Sequence, residues 1–331
     1  MAISGPIKLS NSITEDDLEE LANYLPESSV HSTIIVDLND LSFIEIGPLA
    51  FLISRIQQWR SQEIIVEIDA QSASCFSYLQ RIDFFNCLGI ETPEQFQRHS
   101  AAGKFHPAAE ISNQSSGLAD SLSEKIAEAV IGETCSQDDF TDQPPTEGAF
   151  EAIAYSVSEL IKNIQQHSKG KGIVISQYYL SKGVAKVAIF DDGIGIKQSF
   201  IESGSSYGSN LSNDIDAIQL ALQGEVSSKL TASGTSNAVY GGLPDNAGVG
   251  LTFLTMLAIR AGGDFTIISG NGLVSSGKAT KINQKTVGTF VHLSFNRAQL
   301  ESFEILLEEI KREVLHLDEE EQQEDLSSLF E

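Results

Sequence analysis

A chain of 331 residues, 41% hydrophobic and 20% charged, has room for two cores and an ordinary soluble composition. Its formal charge of −25 is not ordinary, and it disfavours a nucleic-acid backbone or an anionic membrane as the main partner. No secretory signal is read in MAISGPIKLS, the apolar segment 43–53 is broken by Glu45 and Pro48, and Cys75, Cys87 and Cys135 lack CxxC spacing, so a cytoplasmic protein without a structural metal is expected.

The first hundred residues alternate strand and helix patterns. TIIVDL (Thr33–Leu38) is a β-branched run ending at Asn39-Asp40. A helix opening at Gly47-Pro48 follows, with Leu49, Leu52, Ile53 and Ile56 on one face and Trp59 beyond. EIIVEID (Glu63–Asp69) predicts a second strand, and Ser72–Phe84 a helix with Phe76, Leu79 and Ile82 periodic. Residues 1–100 thus read as a βαβα domain. The stretch IIVDLNDLSFIEIGPLAFL resembles the STAS family, the fold of anti-sigma-factor antagonists. Phosphorylatable antagonists carry a serine at the start of this helix, where this chain has Glu45-Ile46-Gly47-Pro48. The resemblance therefore implies a docking or sensing module rather than a phosphoacceptor.

Residues 101–145 lose periodicity and read as a linker with one helix near Leu118–Ile131; Pro144-Pro145 ends it. Beyond it, Phe150, Ile153, Ala154, Val157, Leu160, Ile161 and Ile164 define the buried face of a helix. Glu159, Asn163 and His167 lie on its flank at four-residue steps, stacked one turn above another. A carboxamide there can hold Mg²⁺ while a carboxylate orients or deprotonates a water. Alone, that spacing is weak and better explained as a solvated polar flank. The strand Val184–Phe190 then runs into Asp191-Asp192-Gly193-Ile194-Gly195, where alternate glycines admit a ligand close to the backbone and Asp191 can accept from an amino group. A plain Asp-Gly turn has the same letters. Asp245-Asn246-Ala247-Gly248-Val249-Gly250 opens another helix, exposing backbone N–H groups suited to phosphate, or simply capping the helix with a flexible loop. A strand FTIIS (Phe265–Ser269) precedes Gly288-Thr289, which begin the strand TFVHLSF.

In this order and context, ExxxN, DxGxG, GxG and GT resemble the GHKL superfamily of ATP-binding domains, over residues 146–296. The resemblance implies a Bergerat-type α/β sandwich behind the STAS-like domain, in an α/β (α+β) protein. It assigns Asn163 to Mg²⁺ and the phosphates, Asp191 and Thr289 to the adenine amino group, Gly193 and Gly195 to nucleotide space, and Gly248 and Gly250 to the phosphates. Glu159 takes the position of the catalytic base, in branches that hydrolyse as in those that transfer. Lys197–Asn246 becomes a lid, in which Lys229 either reaches the γ-phosphate or is solvated. No P-loop sequence is present, and no histidine sits in a phosphoacceptor helix before the ATP domain; His167 reads as a helix-terminal or packing histidine.

Residues 297–331 carry a helical pattern through Leu300, Phe303, Leu306, Leu307, Ile310, Val314 and Leu317, with twelve acidic residues from Gln299 onward. The face can dock on the body or a second copy, or merely solubilise the chain. The expectation is a cytoplasmic, bacterial regulator using Mg·ATP for phosphoryl transfer to water or to a partner's Ser/Thr, in the manner of anti-sigma-factor kinases. The alternative is a non-catalytic nucleotide-gated switch or scaffold. Its partners would be ATP and a protein bound through the STAS-like domain or the acidic tail, with a homodimer left open and neither nucleic acid nor membrane involved.

Overall fold

A computed structural model describes residues 6–27, 33–112, 117–132, 147–167, 171–203, 208–223, 238–240, 243–244 and 249–314. The chain is mixed α/β, with a parallel sheet in its first part and an antiparallel one in its second.

The N-terminal unit contains β1 (Ile7–Lys8), β2 (Ser12–Ile13), a 3₁₀ turn (Glu15–Asp17), α1 (Leu18–Tyr24), β3 (Thr33–Asp37) and β4 (Phe43–Ile44). It continues through α2 (Ile46–Ser61), β5 (Ile65–Asp69), α3 (Phe76–Arg81) and α4 (Phe84–Cys87). Strands β1, β3 and β5 form a parallel sheet in that order, and β2 pairs with β4. Alternation along β3 sends Ile34 and Val36 inward and leaves Ile35 exposed, beside exposed Ile65 on β5. The expected helix 72–84 is instead two short ones, because Asp83 takes a left-handed φ of 61° between them. Helix α2 tolerates Pro48 because first-turn N–H groups have no intrahelical partner. It is apolar nearly all round, and every residue from Ile46 to Ile56 is buried.

The second part holds β6 (Phe105–Ile111), α5 (Leu118–Ile131), α6 (Glu147–His167), β7 (Gly172–Tyr179), β8 (Val184–Asp191), α7 (Ile196–Glu202) and α8 (Asp214–Ala221). After a small pair, β9 (Ala238–Tyr240) and β10 (Leu243–Pro244), come α9 (Val249–Arg260), β11 (Phe265–Ser275), β12 (Lys278–Asn296) and α10 (Phe303–Val314). A five-stranded sheet runs β11-β12-β8-β7-β6 with every neighbour antiparallel. Its edge strand β6 lies inside the stretch read as a linker, alongside the anticipated helix α5. Pro107 sits where the β6–β7 register shifts, the kind of place a sheet edge accepts proline.

Alternate residues give the large sheet two different coats. Val174, Val187, Ile189 and Val291 share a core with α5, α6 and α9. Ile173, Ile175, Ala188, Phe190, Ile268 and Phe290 share one with the N-terminal unit, chiefly α2. Helix α10 packs on α9 and α6, burying Phe303 and Ile310, and Arg260 pairs with Glu309 and Glu313. Residues 315–331 of the acidic tail lie outside the described residues.

Where α2 begins, the two units are joined by buried charge. Glu45, 0% exposed, receives Lys186 Nζ of β8 at 2.9 Å, Lys182 Nζ at 2.8 Å and the Glu15 N–H at 3.1 Å. Lys186, 1% exposed, also pairs with Glu15, and the Ile46 N–H donates to Tyr179 Oη at 3.1 Å. Burial pushes the Glu45 carboxyl up, but the two ammonium groups and the Glu15 N–H outweigh it and hold it at about 2. For Glu15 burial wins over Lys186 and raises the carboxyl to about 7, so the pair titrates as a unit whose last proton rests on Glu15. His292 of β12 lies against Gly47, where a Cβ would come within 2.8 Å of its Cδ2, and burial lowers its pKa to about 4. The start of α2 is thus sealed against the chain's own sheet.

Candidate functional site

Asp191 ends β8 on the helix-bearing side of the sheet. Its direct cross-strand partner on β12 is Thr289, and on the other side Gly172 of β7. Thr289 and the Gly193 N–H, at 2.8 Å, both hydrogen-bond the Asp191 carboxylate. Part of Asp191 stays accessible, yet enough protein surrounds it that burial, opposed by these bonds, raises its carboxyl to about 6. The carboxylate is therefore a pre-oriented acceptor at the floor of a recess.

Two glycines shape that recess. Gly288 has φ 74°, and a Cβ there would stand 1.8 Å from the Asp191 carbonyl oxygen. Gly195 has φ 76°, and its Cβ would stand 2.9 Å from Ser269 Oγ. Gly288-Thr289 do not begin a strand, as expected, but lie inside β12; both conformations favour glycine, so the DxGxG loop and this stretch of β12 meet where side chains would push them apart.

Helix α6 roofs the same side. Ile164 packs over Gly172, beside Asp191, with its Cγ2 3.0 Å from where a Gly172 Cβ would lie. One residue earlier, the half-buried Asn163 carboxamide has no hydrogen-bond partner among the described residues. One turn back, Glu159 lies against the start of α9, its Cβ 3.3 Å from where a Gly250 Cβ would stand. Lys162 Nζ lies 3.5 Å from Glu159 Oε1 and 3.6 Å from Asp120 Oδ1 of α5, and Ser158 Oγ donates to Asp120 at 2.9 Å.

The structure thus gathers Asp191, Gly193, Gly195 and Thr289 near Ile164 in the C-terminal part of α6 and brings Gly250 to Glu159 at mid-helix, with Asn163 between them on the same helix. Gly248 and Lys229 lie outside the described residues, and His167 is the last residue of α6. Of the expected lid, α7 and α8 are fixed at their starts: Ser269 Oγ accepts from the Ile196 N–H at 3.0 Å, and Asp214 Oδ2 accepts from the Asn271 N–H at 2.9 Å. Ser269 was not singled out by the sequence motifs. Its signal was a polar residue closing the apolar strand FTIIS.

No group of three or more His, Cys, Asp or Glu residues positioned to hold a metal occurs among the described residues. A cation held by the Asn163 carboxamide would take further oxygen ligands, such as those of a bound phosphate. None of the described helices is long and apolar enough to cross a membrane. No family model, curated protein or solved structure matches the chain.

Proposed function

We propose that the recess between the sheet, α6 and the start of α9 binds Mg·ATP, and that the protein is a GHKL-type regulator. The observation that carries the reading is Asp191: a partly accessible carboxylate, fixed by Thr289 and the Gly193 N–H, between two glycine-shaped segments. A fixed acceptor of that kind suits an exocyclic amino group such as that of adenine. Asn163 would hold Mg²⁺ between protein and phosphates, and the start of α9, with Gly248 and Gly250, would take the phosphates. Bound Mg²⁺ would neutralise charge on the transferring phosphoryl group. Glu159 would orient or deprotonate the acceptor, water or a Ser/Thr hydroxyl on a partner, as anti-sigma-factor kinase-like activity requires.

A second reading, a nucleotide-gated switch with little turnover, draws support from Lys162. Its ammonium lies 3.5 Å from Glu159 Oε1, an ion pair that an attacking water or hydroxyl would have to displace. In either reading a protein partner is bound through the N-terminal unit or the acidic tail. Because the start of α2 is occupied, surfaces such as the outer face of β3 and β5 remain for it.

Calorimetric titration of Mg·ATP tests the site. Saturable binding to the wild type, weakened about tenfold or more by Asn163→Ala, is expected; folded wild type that binds none rejects the proposal. Phosphate or phosphoprotein release on the same samples, lost in Glu159→Ala with ATP still bound, supports catalysis over switching.

Titration against pH checks Asp191. Its folded-state pKa, about 6, lies above the ordinary 3.8. Its contribution to stability is thus full below 3.8 and lost as pH rises through 6, so the free protein holds an ionised, destabilised carboxylate at neutral pH. Mg·ATP needs that ionised form. Affinity is expected to be flat above pH 7 and to fall about tenfold per unit below 6, and Asp191→Asn should flatten the profile at lower affinity.

A further inference from the structure

We infer that Ser269 is a positioning residue that sets base selectivity at this site, an inference resting on the Mg·ATP reading above. Across three adjacent strands the same row holds Ser269 of β11, Thr289 of β12 and Asp191 of β8, each the direct cross-strand partner of the next. Beyond Ser269 the β11–β12 register shifts, so Ser269 is the last residue of this regular stretch of the ladder, which resumes in a new register from Gly272 to Ser275. Its hydroxyl is buried and makes two hydrogen bonds. It donates to the Gly288 carbonyl at 3.0 Å and accepts from the Ile196 N–H at 3.0 Å.

Those two bonds reach both supports of the Asp191 carboxylate. Gly288 precedes Thr289 within β12, so fixing its carbonyl fixes the stretch of strand from which Thr289 reaches Asp191. Ile196 follows Gly195, so fixing its N–H anchors the far end of the loop whose Gly193 N–H also holds Asp191. Ser269 touches neither Asp191 nor the space for the base. It determines where both groups that hold Asp191 can stand.

That placement bears on which base is accepted. A carboxylate accepts from the amino group of adenine but repels the carbonyl oxygen that guanine presents at the equivalent position. Discrimination of this kind depends on the acceptor's position, and a displacement of about an ångström is enough to degrade it. Alanine at 269 would leave the Ile196 N–H and the Gly288 carbonyl without this partner, and both segments would seek new ones.

The test uses the full chain as wild type, Ser269→Ala and Ser269→Thr, with Kd values for Mg·ATP and Mg·GTP and hydrogen exchange at the Ile196 amide. For Ser269→Ala the expected result is a roughly tenfold weaker Kd for ATP, a change for GTP below about twofold, and faster exchange at Ile196. Ser269→Thr, which keeps the hydroxyl, should recover selectivity to within about threefold of wild type. A folded Ser269→Ala protein with an unchanged ATP-to-GTP ratio overturns the inference, even if its melting temperature falls. Unchanged exchange at Ile196 overturns it at the level of the hydrogen bond. If the wild type binds neither nucleotide while Ser269→Ala still speeds exchange at Ile196, the nucleotide reading has failed and Ser269 is a structural bridge only.

Discussion

Replacing Lys186 by methionine is expected to destabilise the protein by about 3–5 kcal/mol, the usual cost of removing one partner from a buried ion cluster. The ammonium lies between Glu45 and Glu15, and Glu45 has no exposed surface. Methionine fills a similar volume without charge. Glu45 would keep Lys182, itself half exposed, and Glu15 would lose its ion-pair partner. Urea unfolding should record the loss as a lower midpoint, and adding Glu15→Gln should recover part of it by removing a carboxyl that has lost its ammonium partner and would otherwise have to take up a proton. A Lys186→Met protein within about 1 kcal/mol of wild type would mean that water reaches the cluster and screens it.

Gly288→Ala is expected to have the largest effect on the proposed site. Its Cβ would stand 1.8 Å from the Asp191 carbonyl oxygen and 2.9 Å from the Gly193 nitrogen, both backbone atoms, at a φ of 74°. No side-chain rotation relieves such a contact, so β12 must separate from β8 where Thr289 meets Asp191. Strain and overpacking together should cost about 2–4 kcal/mol of stability. Mg·ATP affinity should fall by about a hundredfold or more, because a shift of about 1 Å at the acceptor is unavoidable. Gly277→Ala, at a position with open space around it, is the control and should alter neither quantity. Retained affinity in Gly288→Ala would place the nucleotide elsewhere.

The sequence made some of this legible and hid the rest for identifiable reasons. Helix α5 lies at the expected Leu118–Ile131, and β8 ends at Asp191 one residue past the expected strand, because local periodicity and the glycine break are written within a single segment. Strand β6 was hidden by Pro107, which argues against a strand until a sheet edge with a register shift is there to receive it. The residues of the candidate site were legible as motifs. That Thr289 stands opposite Asp191 is a matter of register between segments far apart in the chain, and Ser269 comes opposite Thr289 only through a hairpin whose register shifts twice, so neither pairing is written in a local pattern. Lys186 left a clue in VAKVAIF, a lysine in phase with Ala188 and Phe190, but its partners Glu15 and Glu45 lie far back in the chain.

The coat that the N-terminal unit lays on the sheet also bears on how such a chain can be inherited. In layered α/β proteins the second face of a sheet is covered by helices of the same domain. Here α2 takes that place, and Ile173, Ile175, Ala188, Phe190, Ile268 and Phe290 are apolar because it does. Exchanging the first hundred residues for another module would require rewriting alternate positions on four strands at once while leaving the intervening residues, Asp191 and Thr289 among them, untouched. A single crossing over that swapped only the first hundred residues would leave those six positions facing a surface not built for them.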